Sequence, residues 1–183
     1  AEFVTYQPLS DADMEKLEQE YDVILEHSRY KDVNVKSGDL KGATIRVFPM
    51  PEKLNLCEVR DGHEPGDGEA LLTQDFADMH DIRVGDTISL GAYAYKVSAY
   101  TTKADYIYML EKLSGYIDSE KFALVVVNRK EYDNIDSDET SYYSIKYNKD
   151  NSNEVREKLN EDYVIASYMA ATTNTRISMP VNE

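Results

Sequence analysis

Two segments at opposite ends of the chain echo each other, and that echo limits what the chain can fold into. Near the start, Glu15-Lys16-Leu17 leads through acidic residues to Tyr21, Val23 and Ile24. Near the end, Glu157-Lys158-Leu159 leads through acidic residues to Tyr163, Val164 and Ile165. Each lies in a strand-helix-strand unit. In the first, Phe3 to Leu9 reads as a strand, and Ser10 with Asp13 forms a helix start of the capping-box kind. Met14, Leu17 and Tyr21 then share one helical face, and a strand follows from Asp22 to Val35. In the second, Tyr142 to Tyr147 alternates as a strand, and Asn151 with Glu154 predicts another N-cap. Val155, Leu159 and Tyr163 supply the helical face before a strand from Val164 to Met169. Neither half can bury its apolar faces alone. Pairing them in one antiparallel-containing sheet, with both helices on one face, gives an α+β fold of split βαβ type.

The residues between the halves read differently. A strand from Ala43 to Phe48 stops at Pro49-Met50-Pro51, and Asp61 to Asp67 is a polar, glycine-bearing loop. From Gly68 to Tyr100 the pattern is strand, short helix, turn and two tightly joined strands. Ala70 to Leu72 is apolar, Thr73 stands as an N-cap, and Phe76, Ala77 and Met79 form one face. Gly85-Asp86 marks a turn before strands at Thr87 to Leu90 and Tyr93 to Tyr100. Thr101 to Tyr116 suggests a loop with a short helix, Phe122 to Val127 a buried strand, and Tyr132 to Thr140 a polar boundary. The expected division is therefore 1–48 plus 139–183 as one subdomain, with 49–138 as an inserted β-rich one.

The run from Gly68 to Tyr100 also carries a family resemblance. Gly-Glu-x-Leu-Leu, a small helix with Phe-Ala, Ile-x-Val-Gly-Asp-Thr-Ile-x-Leu and an aromatic-x-Val strand resemble the extracytoplasmic domain of MacB/FtsX-type ABC transporter permeases. The resemblance implies a porter-like subdomain built from both chain ends, with a β-rich subdomain inserted. It implies a non-enzymatic domain on the extracytoplasmic side of the cell membrane, anchored by transmembrane helices outside this chain. An ATP-binding protein would then be its partner through the rest of the permease, and the domain would couple the ATPase cycle to export or signalling.

Charge narrows the partners. With 35 acidic and 20 basic side chains, the formal net charge of -15 argues against duplex nucleic acid and against anionic lipid surfaces. It favours a cationic peptide or a basic protein patch. No apolar run approaches the roughly 20 residues of a membrane helix, and no secretory leader is legible at Ala1. Cys57 is the single cysteine and reads as a small buried hydrophobe.

No catalytic constellation, cofactor motif or metal-ligand spacing stands out. His27, His63 and His80 are scattered, and the acidic stretches at 61–67 and 133–139 match no calcium loop. The odd feature is 15 tyrosines with no tryptophan. Tyr93, Tyr95, Tyr100, Tyr106 and Tyr108 cluster in the inserted region, either as a partner surface or as strand faces with hydroxyls reaching water. Without membrane anchors, the alternative is a free-standing, β-barrel-containing module that binds a small ligand or protein.

Overall fold

The structure, a computed structural model, describes residues 1–106, 109–113 and 115–177. The first unit is β1 (Glu2–Thr5), α1 (Asp11–Tyr21) and β2 (Val23–Asn34). The middle of the chain supplies β3 (Thr44–Pro49), β4 (Glu69–Thr73), α2 (Gln74–Met79), β5 (Thr87–Ser89), β6 (Ala94–Thr101), β7 (Phe122–Val127) and α3 (Arg129–Asp133). The last unit is β8 (Glu139–Tyr147), α4 (Ser152–Tyr163) and β9 (Ile165–Met169). The strands form one mixed sheet of nine in the order β5-β6-β4-β7-β3-β2-β8-β1-β9, so the fold is α+β. Among the described residues, no helix is long and apolar enough to cross a membrane.

The strands of the two end units interleave. β1 lies between β8 and β9, β8 lies between β2 and β1, and every one of these pairings is antiparallel. Leu17 of α1 and Val155 and Leu159 of α4 bury against Phe3, Val23, Leu25, Tyr143 and Ile145 in one core. Met14, Tyr21 and Tyr163 pack against its margin. The helical faces read from three- and four-residue spacing are therefore the buried ones.

The two helix starts differ. Ser10 and Asp13 form a full capping box, with Asp13 N–H donating to Ser10 Oγ at 3.1 Å and Ser10 N–H to Asp13 Oδ2 at 3.0 Å. Asn151 makes no side-chain cap: its Oδ1 is buried without a partner among the described residues, while its Nδ2 donates to the Tyr21 carbonyl at 2.7 Å. Its amide ties the start of α4 to the end of α1.

The middle strands extend the same sheet. β3 runs parallel to β7, β7 antiparallel to β4, β4 parallel to β6, and β5 closes a hairpin onto β6. All six residues of β7 are buried. Ala123, Val125 and Val127 face Phe76, Ala77 and Tyr132 from α2 and α3. Phe122, Leu124 and Val126 face the other side with Phe48 and Tyr106. On β2, Val23 and Leu25 join the first core and Val33 packs against the second, so alternation puts all four helices on one face.

Three local expectations change. Met79 is 60% exposed rather than part of the buried face of α2. Thr73 gives α2 no side-chain cap, since its hydroxyl accepts the Leu124 N–H at 3.2 Å and ties β4 to β7. Residues 132–140 are not simply a polar boundary, because Tyr132 is fully buried under Lys31, whose Nζ lies 4.5 Å from the ring centroid. Among the described residues of 101–116 there is no helix. Gly62 shows why the 61–67 loop cannot stand free: a Cβ there would meet Ser98 O at 1.8 Å, where the loop lies flat on β6. His63 N–H donates to that same carbonyl at 3.1 Å.

Candidate functional site

The clustered tyrosines do not share one exposed patch. Tyr95 is 3% exposed in the helix-side core, and burial with nearby Glu131 pushes its hydroxyl up to about 12. Tyr93 and Tyr100 pack at the edge of that core. Their hydroxyls are engaged, Tyr93 Oη accepting the Asp136 N–H at 2.7 Å and Tyr100 Oη donating to Ile82 O at 3.1 Å. Tyr106 is 2% exposed on the opposite face of the sheet. Tyr108 lies outside the described residues. Burial of Tyr95 and Tyr106 leaves no surface on either for a partner to cover.

Tyr106 instead belongs to a buried cluster of charges that no local motif announces. Arg46, 4% exposed, donates from Nε and Nη2 to both oxygens of Asp32 at 2.9 and 3.0 Å. Its Nη1 reaches Tyr106 Oη at 2.9 Å, and the guanidinium lies 4.1 Å from the Tyr30 ring centroid. Burial alone would lower the Arg46 pKa, but the Asp32 carboxylate outweighs it and holds the group above its ordinary value. Lys103, 3% exposed, donates to Asp105 Oδ1 at 2.5 Å and lies 4.5 Å from the Phe48 ring centroid. The Tyr142 hydroxyl donates to Asp105 Oδ2 at 3.3 Å.

The cluster reaches the last described segment. Arg176 Nε donates to Leu110 O at 3.2 Å, and its guanidinium lies 4.7 Å from the Tyr106 ring centroid. Asn174 Nδ2 donates to Glu2 Oε1 at 3.2 Å, and burial with nearby Asp105 raises the Glu2 carboxyl pKa. Sequence reasoning missed this cluster. One signal was available: Arg46 is a lone charge inside Ile45-Arg46-Val47-Phe48, an otherwise apolar strand. Lys103, Asp105 and Arg176 carry no comparable mark. Every cation here already has a carboxylate or carbonyl, so the cluster clasps irregular segments onto the sheet.

Cys57 sits beside the cluster, and burial pushes its thiol up to about 11, so it stays protonated at neutral pH. Among the described residues, no group of three or more His, Cys, Asp or Glu side chains is placed to hold a metal ion. His63 pairs with Glu69 at 2.9 Å, and His80 Nε2 lies 2.7 Å from Glu120 O. His27 stacks on Tyr143 with centroids 4.9 Å apart and contacts Ser141 Oγ.

Clefts open on both sides of the clasp. One of about 410 Å³ lies over Leu56, Thr101, Tyr106 and Met109. Another of about 340 Å³ lies where β1, β8 and β9 meet the segment after β9, along Glu2, Ser144, Met169 and Asn174. A wider one of about 630 Å³ separates the first half of β2 from the end of β3.

No protein-family model matches this chain, and no curated protein matches it. A crystal structure described as "Putative Lipoprotein from Bacillus anthracis" aligns over 92% of this chain and 97% of its own. The identity is 9% and the TM-score 0.39, a likeness too low to carry an argument.

Proposed function

We propose that the chain is a non-enzymatic extracytoplasmic domain of a MacB/FtsX-type ABC transporter permease. The observation that carries the reading is where the first and last strands lie. Glu2 of β1 pairs with Met169 of β9, so the first and last strands reach the same end of the sheet side by side. Ala1 N donates to Ile145 O at 2.9 Å beside them. Segments entering β1 and leaving β9 thus start from adjacent points, as an ectodomain between two anchors would need, and the described residues after β9 lie against Glu2, Leu110 and Leu113. The run from Gly68 to Tyr100 adds the resemblance, with β4, α2, β5 and β6 in the expected order.

On this reading, the interleaved strands β2-β8-β1-β9 with α1 and α4 form the porter-like split βαβ subdomain of residues 1–48 and 139–183. Residues 49–138 are the β-rich insertion, joined to it through the β3–β7 pairing. The domain sits at the outer face of the cell membrane and couples the cycle of a cytoplasmic ATP-binding protein to export or signalling. A cationic peptide or basic protein patch suits its charge of -15.

The test is the parent reading frame and its complex. The frame should carry apolar segments of about 20 residues beyond both ends of this chain. The full-length protein should co-purify with an ATP-binding subunit from detergent-solubilised membranes. A reading frame without such segments contradicts the proposal.

A further inference from the structure

The nine-stranded sheet contains a gap between β2 and β3 that none of the described residues closes. β2 pairs with β8 along its length, from Val23↔Tyr147 to Lys31↔Glu139. On its other side β2 pairs with β3 only from Lys31↔Val47 to Asn34↔Thr44. β3 does not end there: it continues beside β7 to Pro49↔Val127, and Met50 N–H reaches Val127 O at 3.0 Å. The two strands therefore diverge, and the cleft of about 630 Å³ lies between Leu25–Arg29 on one wall and Phe48–Lys53 on the other.

Backbone geometry sets which groups face the gap. Val35 N–H donates to Ala43 O at 2.9 Å, so odd-numbered β2 residues direct their amides to the β3 side. In the gap these are Leu25, His27 and Arg29. The Leu25 N–H is taken by Glu18 Oε1 at 2.8 Å, a side chain standing where a strand carbonyl would be. For the His27 and Arg29 N–H groups there is no partner among the described residues. Ladder groups at an unpaired strand edge are a template for another strand.

The opposite wall cannot complete the ladder. Pro49 and Pro51 have no N–H to give to the Arg29 and His27 carbonyls they would face. The N–H groups of Glu52, Lys53 and Leu54 all donate to the Glu26 carboxylate, at 2.7, 3.0 and 2.5 Å. That carboxylate belongs to β2 itself, so it ties the wall to β2 through a side chain and takes the amides a ladder would use. Two prolines without N–H and three amides spent on Glu26 thus leave the ladder between β2 and this wall unformed.

Charge selects the occupant. Lys53 and Lys103, both on the walls, are already paired with Glu18 and Asp105. Arg29 and Arg129 remain, against Asp11, Glu15, Glu52 and Glu64, for which there is no ion pair among the described residues. A second copy of this chain, at -15, is repelled. We propose that the gap is a strand-accepting site, where an extended basic segment of a partner protein pairs with β2 at His27 and Arg29. The inference goes beyond the permease reading and does not depend on it: a chain without anchors would accept the same strand.

The test uses the 183-residue chain. The probe is a ten-residue peptide of alternating lysine and valine, compared with its fully N-methylated form and its glutamate counterpart. Saturable binding is expected, with the amide hydrogens of His27 and Arg29 becoming protected from exchange. N-methylation, which removes the donors of a strand, should weaken binding at least tenfold. The glutamate peptide should fail equally. A Glu15→Lys, Glu64→Lys double variant, its fold checked by circular dichroism, should bind the lysine peptide at least tenfold more weakly at low salt. Four results each overturn the proposal: no binding, equal binding of the N-methylated peptide, unchanged exchange at both amides, or protection already complete in the free chain.

Discussion

The two faces of the sheet are covered by different means. On one face, α1, α4, α2 and α3 lay apolar stripes onto apolar strand residues, and few charges enter. On the other, irregular stretches around Met50, Cys57, Tyr106 and Met109 cover Phe48, Leu124 and Val126. There the cover is held by Arg46–Asp32 and Lys103–Asp105 pairs over aromatic rings. A helix satisfies its own backbone and can bury a purely apolar stripe. Irregular segments cannot satisfy theirs internally, so the face they cover needs polar partners inside. Arg46 and Arg176 serve that need, donating to the Glu111 and Leu110 carbonyls at 3.2 Å each.

The comparison fails first, and most visibly, at Lys103. Replacing it by Met should destabilise the fold by about 3–5 kcal/mol, because Asp105 is left charged and buried. A Lys103→Met, Asp105→Leu double variant should recover much of that loss. Chemical denaturation of both, with the midpoint and slope compared, checks it. Equal losses in the single and double variants would mean that the pair does not act as a unit.

On the helix face the expected effect is nearly as large but of another kind. Leu17→Ala and Leu159→Ala should each cost about 2–5 kcal/mol from lost burial and the cavity left behind. Both residues lie in one core, so their effects should not add independently. A loss well under 1 kcal/mol at either position would contradict the equivalence of the two end units.

The caps sharpen the helix face further. Ser10→Ala should cost about 1 kcal/mol, since it removes the α1 capping box. The smallest effect is a pH dependence on the clasped face. Burial raises the folded-state pKa of Glu2, so folding favours its protonated form. Its contribution is fully present below the unfolded carboxylate value and lost as pH rises through the raised one. Glu2→Gln should flatten the stability profile in that window, as followed by denaturant midpoints from acid to neutral pH. An unchanged profile would place the dependence elsewhere.

Legibility in the sequence divides along the same two faces. The helix face was readable because helical spacing is periodic: Met14, Leu17 and Tyr21, and Val155, Leu159 and Tyr163, mark their cores directly. β7 was readable as a continuous apolar run. The clasped face was not, because Arg46 and Arg176 meet Tyr106 from positions far apart in the chain. Tyrosine misled for a related reason. The clustering of Tyr93, Tyr95 and Tyr100 followed strand propensity, while Tyr95 and Tyr106 went to opposite cores. The gap beside β2 was invisible too, since a missing neighbour leaves no mark on the strand that lacks it.

Topology in living cells tests the central claim most directly. Ser37 lies in an exposed turn, and Cys57 is the chain's only thiol. The complete reading frame, carrying Ser37→Cys and Cys57→Ser with any flanking cysteine replaced, would be expressed in cells and treated with a membrane-impermeant maleimide. An extracytoplasmic domain of a permease predicts labelling of intact cells, with the labelled protein in the membrane fraction. Labelling only after lysis would contradict the account.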